Sequence, residues 1–274
     1  MKALKTHKNF NGKTQFWEHD SVTTKTKMKF ATFIPDGKVH GCLIWLSGLT
    51  CTEENFITKA GAQKYLGEAG LMVIAPDTSP RGLNLPGEHD SYDFGSGASF
   101  YVDATTPGYK DHYLMETYIN SEIYNLAQTV FEQKKISIFG HSMGGHGALT
   151  LALRHPEKYV SVSAFAPSVN PTQTDWGQKA LKGYLGDDFQ VLKMHDTCEL
   201  LKMGKKHPST ILIHQGTEDE FLEKRLLVPH FEAAAKESGQ SCVVKYAEGY
   251  DHSYYFISTF MQEHIEFHKK ALVK

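Results

Sequence analysis

The stretch Ile136-Ser-Ile-Phe-Gly-His-Ser-Met-Gly-Gly-His-Gly147 decides how the rest of this chain is read. A short apolar, β-prone run, Ile136 to Phe139, meets Gly140-His141-Ser142-Met143-Gly144. A segment through Ala148, Leu151 and Leu153 then keeps helical spacing until Pro156. Strand, sharp turn and helix with a serine at the apex is the pattern of a nucleophile elbow, in which strained backbone lifts the hydroxyl above a sheet edge. Gly140 and Gly144 are then required, because a side chain at either would strike the neighbouring turn. Ser142 also opens the helix, so the free N–H of Met143 faces an oxygen attacked there.

Whole-chain properties narrow the classes. At 274 residues the length suits one large α/β domain, residues 1–274, better than two small ones. A net charge of −2 with mixed signs along the chain points to no nucleic acid and no membrane surface. Residues 1–11 are polar, without the apolar centre of a signal peptide. No apolar run reaches membrane-spanning length. Cys42, Cys51, Cys198 and Cys242 show neither metal-like nor disulfide-framework spacing, which points to free thiols and a reducing, cytoplasmic location.

Outward from the elbow, the pattern alternates. Residues up to about Pro35 read as antiparallel strands, at Gln15 to Glu18 and Lys27 to Ile34. Buried strands follow at Cys42 to Leu46, Leu71 to Ala75, Val160 to Ala166, Ile211 to His214 and Cys242 to Tyr246. Helices are expected at Glu53 to Gly67, Tyr113 to Phe131, Leu226 to Ser238 and Tyr254 to Ala271. Apolar strands separated by helices predict an α/β fold, a mostly parallel central sheet with helices on both faces, preceded by the antiparallel N-terminal strands. Two insertions, 78–109 and 170–188, would wall the carboxyl edge, where such sheets place their sites.

A serine hydroxyl needs a base, and the base needs an orienting acid; on this architecture they follow in the order acid, then histidine. Of fifteen histidines, His252 lies on the loop between the last strand and the last helix. His141 and His146 read as packing or supporting groups and His214 as a hydrogen-bonded core residue. His264 and His268 are four apart, as metal ligands can be, but no third ligand is suggested and a partly solvated helix face is the expectation. No metal and no cofactor are called for. After Ile211 to His214, Gln215-Gly-Thr-Glu-Asp-Glu220 offers three competing carboxylates; a turn after Gly216 lets Asp219 reach back most naturally. A second oxyanion donor is expected from Leu49, where Gly48 lets the backbone turn inward, and Cys51 would then lie near the site.

The segments Trp45-Leu-Ser-Gly-Leu-Thr-Cys-Thr-Glu-Glu-Asn-Phe56, Ala75-Pro-Asp-Thr-Ser-Pro-Arg-Gly82, Gly140-His-Ser-Met-Gly-Gly-His-Gly147 and Glu248-Gly-Tyr-Asp-His-Ser-Tyr-Tyr-Phe256 closely resemble the S-formylglutathione hydrolase, or esterase D, family. The resemblance runs from the N-terminal strands to the last helix. It implies a cytosolic α/β-hydrolase that cleaves S-formylglutathione to glutathione and formate, late in glutathione-dependent formaldehyde detoxification. It carries over Ser142, Asp219 and His252 as a triad and the N–H groups of Leu49 and Met143 as oxyanion donors. The family's cysteine near the nucleophile matches Cys51, its active-site tryptophan matches Trp176, and its members are often homodimers. Arg81 and Lys110, in the 78–109 insertion and just after it, could receive a glutathione carboxylate, against the plainer reading of structural ion pairs. The competing functions are a broad short-chain carboxylesterase, an acyltransferase, and a non-catalytic protein that kept the fold.

Overall fold

The computed structural model describes residues 1–273. Among them, nine strands form one sheet in the order β1-β2-β3-β5-β4-β6-β7-β8-β9. The strands are β1 Lys2–Asn9, β2 Gly12–Asp20, β3 Lys27–Pro35, β4 Gly41–Leu46, β5 Leu71–Pro76, β6 Ile136–His141, β7 Val162–Phe165, β8 Ile211–Gly216 and β9 Cys242–Ala247. The first three are antiparallel, and β3 joins β5 antiparallel with Phe30 opposite Pro76. From β5 through β9 every pairing is parallel. The carboxyl ends of β4, β6, β8 and β9 therefore share one edge, and each carries a loop that the sequence marks as chemical.

The central strands β4, β5, β6, β7 and β8 are buried at every position, which is why they read as continuous apolar runs rather than alternations. Trp45 anchors the core under the elbow: it stacks on Phe56 with centroids 4.4 Å apart and meets Phe139 edge-on at 4.8 Å. Burying side chains of this size stabilises the fold by about 1.5–3 kcal/mol each, and the indole N–H finds Ser47 Oγ at 2.8 Å.

The structure departs from the periodicity in several places. β1 was not expected as a strand: its sequence, Lys-Ala-Leu-Lys-Thr-His-Lys-Asn, is exposed along almost its whole length and pairs only with β2. A lysine-rich edge strand carries no apolar alternation to detect. The helix expected over Glu53 to Gly67 is two, Glu53–Lys59 and Gln63–Ala69, broken at Gly61 with φ 64°. Thr52 caps the first in a capping box with Asn55. The helix after residue 113 runs from Met115 to Thr129 through π-type turns at Tyr118–Ile123. Segment 170–188 is mostly helix, Asp175–Leu185, capped by Thr174. Tyr184 from this helix accepts from Gly95 N–H at 2.8 Å and donates to Ala98 C=O at 2.9 Å. The two wall segments are thereby fastened to each other.

His264 and His268 correct another expectation: both are fully buried rather than on a partly solvated face. An i, i+4 spacing shows that two side chains share a helix face without showing which face it is. Ser161 Oγ meets His268 Nδ1 at 2.8 Å, Ser163 Oγ meets both His268 Nε2 and His264 Nδ1 at 2.8 Å, and His264 Nε2 meets His214 Nδ1 at 3.0 Å. His214 is thus the core histidine that its place within a strand suggested. Burial holds His264 well below the usual imidazole range and pushes His268 down to about 3, so both are neutral members of a satisfied polar row.

Candidate active site

Ser142 sits one residue past β6, with φ 57° and ψ −117°. A non-glycine residue held there is strained by about 1–3 kcal/mol. The surroundings enforce it: Ser142 N–H donates to Phe165 C=O at 3.0 Å, and its own carbonyl accepts from His146 N–H at 2.9 Å. The glycines around it permit a backbone approach that no other residue would. A Cβ on Gly144 would lie 1.9 Å from Leu46 O, and one on Gly140 2.3 Å from Gly144 O. The loop after β4 approaches the elbow less tightly, since a Cβ on Gly48 would lie 3.2 Å from His141 Nδ1 and 3.3 Å from Ser142 Cβ. Met143 is the first residue of the elbow helix Met143–Arg154, so its N–H has no partner within that helix. Leu49 follows Gly48 on the opposing loop and lines the same cavity as Ser142.

His252 and Asp219 meet across the ends of β9 and β8. Nδ1 of His252 lies 2.6 Å from Asp219 Oδ2. Asp219 is fixed in turn: Oδ2 accepts from Gln215 Nε2 at 3.1 Å and Oδ1 from Phe221 N–H at 2.9 Å. Its side chain is shielded from solvent, whereas the neighbouring Glu218 and Glu220 are exposed, and this resolves the competition among the three carboxylates for contact with the imidazole. A carboxylate only accepts, so Nδ1 carries the proton and Nε2 keeps its lone pair. Asp251, adjacent to His252 in sequence, is used elsewhere, accepting from Ser253 N–H and Oγ.

The cavity holding these groups has a volume of about 300 Å³. Ser142, His252, Leu49, Cys51 and Trp176 all line it, while Asp219 stands behind His252. Burial raises the Cys51 thiol above its usual range and keeps it protonated, with nearby Lys59 opposing only in part. Burial, and then the proximity of His252, hold His141 well below the imidazole range; its ring lies 4.4 Å from that of His252. Trp176 donates to Tyr92 OH at 3.1 Å and packs on Phe221 with centroids 4.9 Å apart. Asn55, Tyr92, Phe221 and Tyr254 also line the cavity and were not singled out from sequence. Phe221 and Tyr254 each lie two residues past a singled-out residue, which was the available signal.

The two basic residues weighed for a carboxylate differ: Arg81 is engaged, and Lys110 stands away from the cavity. Arg81 donates to Asp77 Oδ1 at 2.7 Å and to Cys51 C=O at 2.9 Å, which makes it a strut for the loop after β4. Lys110 is exposed and is absent from the cavity lining. A groove of about 540 Å³ at the amino edge, lined by Pro156, His207 and Gln240 among others, carries none of this machinery.

A sequence model of the Esterase family matches residues 21–267. S-formylglutathione hydrolases from Bos taurus and from Mus musculus are each 50% identical over 278 residues, spanning 99% of both chains. The chain belongs to the S-formylglutathione hydrolase family. A solved S-formylglutathione hydrolase from Agrobacterium tumefaciens superposes with a TM-score of 0.96 at 42% identity, covering 99% of this chain and 100% of its own. Membership in this family of hydrolases agrees with the α/β architecture described above, including the antiparallel N-terminal strands.

Proposed function

We propose that this protein hydrolyses S-formylglutathione to glutathione and formate through a formyl ester on Ser142. The observation that supports this most directly is the Asp219–His252 contact at 2.6 Å in a cavity shared with the strained Ser142. His252 Nε2 takes the proton as Ser142 Oγ attacks the formyl carbon. The N–H groups of Leu49 and Met143 receive the oxyanion, and each is worth about 3 kcal/mol in a site of this kind. The protonated His252 delivers its proton to the departing sulfur, and glutathione leaves as the thiol. Water then gives a proton to the same imidazole and attacks the formyl ester, and His252 returns that proton to Ser142 Oγ as formate leaves. Asp219 fixes the tautomer and stabilises the imidazolium.

Trp176, Phe221 and Tyr92 line the cavity with Ser142, and on this reading they bound the acyl group, favouring formyl and acetyl over long chains. This reading places the protein in formaldehyde detoxification, in the cytoplasm, and as a homodimer. The four cysteines are all free, as a reducing compartment requires. No helix among the described residues is long and apolar enough to cross a membrane. The test compares kcat/KM for S-formylglutathione with that for an aryl acetate. A preference of at least about tenfold for the thioester is expected, and a preference for the aryl ester would favour a general carboxylesterase.

A further inference from the structure

The cavity around Ser142 is lined by thirteen residues, and none of them is Lys, Arg, Asp or Glu. S-formylglutathione, taken here as the substrate on the reading above, carries carboxylates at both ends of its peptide. Burying those charges without partners would cost several kcal/mol each, so the peptide must lie outside the acyl cavity. A second concavity adjoins it. This one has a volume of about 640 Å³ and is lined by Lys59, Ser253, Tyr254, Tyr255 and Ser258. Ser253 and Tyr254 belong to both linings, so the two spaces meet at the start of the last helix, Tyr254–Leu272.

Among the described residues, Lys59 is the only lysine or arginine in either lining, and neither lining contains an acid. Its ammonium lies 5.8 Å from the centroid of the Tyr254 ring, and no ion pair with a carboxylate engages it among the described residues. Two further cations near the site are committed, Arg81 to Asp77 and Arg225 to Asp175. Arg225 stacks on Trp176 at 3.8 Å, donates to Tyr92 OH at 3.3 Å and pairs with Asp175 at 3.3 Å. Tyr255, 84% exposed at the first turn of the last helix, offers a flat apolar face beside Lys59. The positive end of that 19-residue helix adds to the field.

We infer that the glutathionyl half of the substrate occupies this second concavity, with one of its carboxylates on Lys59 Nζ and its peptide against Tyr255. Lys59 is then a specificity-determining residue for the thiol half and takes no part in acyl transfer.

The test measures Lys59→Glu and Lys59→Arg with S-formylglutathione and with an aryl acetate, and measures glutathione as a competitive inhibitor of the aryl acetate reaction. Lys59→Glu is expected to raise KM for S-formylglutathione about tenfold, or about 1.4 kcal/mol, with kcat within about twofold. Its Ki for glutathione should rise by a similar factor, while aryl acetate kcat/KM changes by less than about twofold. Lys59→Arg should stay near wild type. A parallel fall for both substrates would make Lys59 structural, and an unaltered KM and Ki would place the peptide elsewhere; either overturns the inference. If the wild type cleaves the aryl acetate but not S-formylglutathione, the proposed reaction fails. Glutathione competition that still depends on Lys59 would nevertheless uphold the subsite, and absence of competition would end it.

Discussion

His252 Nδ1 and Asp219 Oδ2 lie 2.6 Å apart although 33 residues separate them in the chain, because β8 and β9 are adjacent and parallel and end side by side. The contact fixes both the direction of the imidazole and its tautomer. Asp219→Asn would place an amide where the carboxylate accepts, favouring the tautomer that carries its proton on Nε2. kcat should fall about 10³–10⁴-fold, while the circular dichroism spectrum stays that of wild type. An activity loss below about tenfold would remove Asp219 from this role.

Gly48 sets the distance between the loop after β4 and the elbow. A methyl group there would lie 3.2 Å from His141 Nδ1 and 3.3 Å from Ser142 Cβ, tight enough to displace the loop without breaking the core. Gly48→Ala is expected to lower kcat by about 10–100-fold, a partial loss of one oxyanion donor, with a melting temperature close to wild type. Gly144→Ala is a different case: its Cβ would lie 1.9 Å from Leu46 O, so that variant should express poorly or unfold.

Cys51 lines the acyl cavity, but its thiol is held protonated by burial. A bulky maleimide should react slowly near neutrality and faster as pH rises, and it should block activity once attached. Cys51→Ser should remain active and resist the reagent. Full activity after labelling confirmed by mass spectrometry would contradict this placement.

The buried histidines make stability depend on pH. His146 and His268 are pushed down to about 3 by burial, whereas in the unfolded chain they titrate near 6.5. The unfolded state therefore binds more protons between those values, and their stabilisation is complete above about 6.5 and is lost as pH falls toward 3. Burial raises Glu53, Asp103 and Asp196, which opposes the trend at the acid end, so the histidine effect is read over the range just below about pH 6.5. The melting temperature should fall across it, and His268→Gln should melt lower at pH 7.5 but with a shallower slope. A flat profile in the wild type would contradict the neutral, buried row.

Much of this arrangement is legible in the amino-acid sequence, for identifiable reasons. Strands buried on both faces announce themselves as apolar runs, and the elbow adds glycines whose need is steric, as the 1.9 Å approach at Gly144 shows. Chain order and strand ends then direct attention to Asp219 and His252. What local pattern could not supply was whatever depends on a partner far away in the chain. β1 is a strand only because β2 pairs with it. His264 and His268 are buried where Ser161, just before β7, Ser163 on β7 and His214 on β8 meet them. Tyr92 and Arg225 flank Trp176 through contacts spanning 84 and 49 residues, and no periodicity records such a meeting.

Attack by the hydroxyl of Ser142 on the formyl carbon is the step on which the proposed chemistry depends. The most direct measurement is hydrolysis of S-formylglutathione by wild type and Ser142→Ala side by side, with mass spectrometry of each after a fluorophosphonate probe. The wild type is expected to turn over and to carry the probe on Ser142, while the variant carries none and loses about 10⁶-fold in kcat. A variant that still hydrolyses the thioester at a comparable rate, or a wild type labelled at another residue, would contradict it.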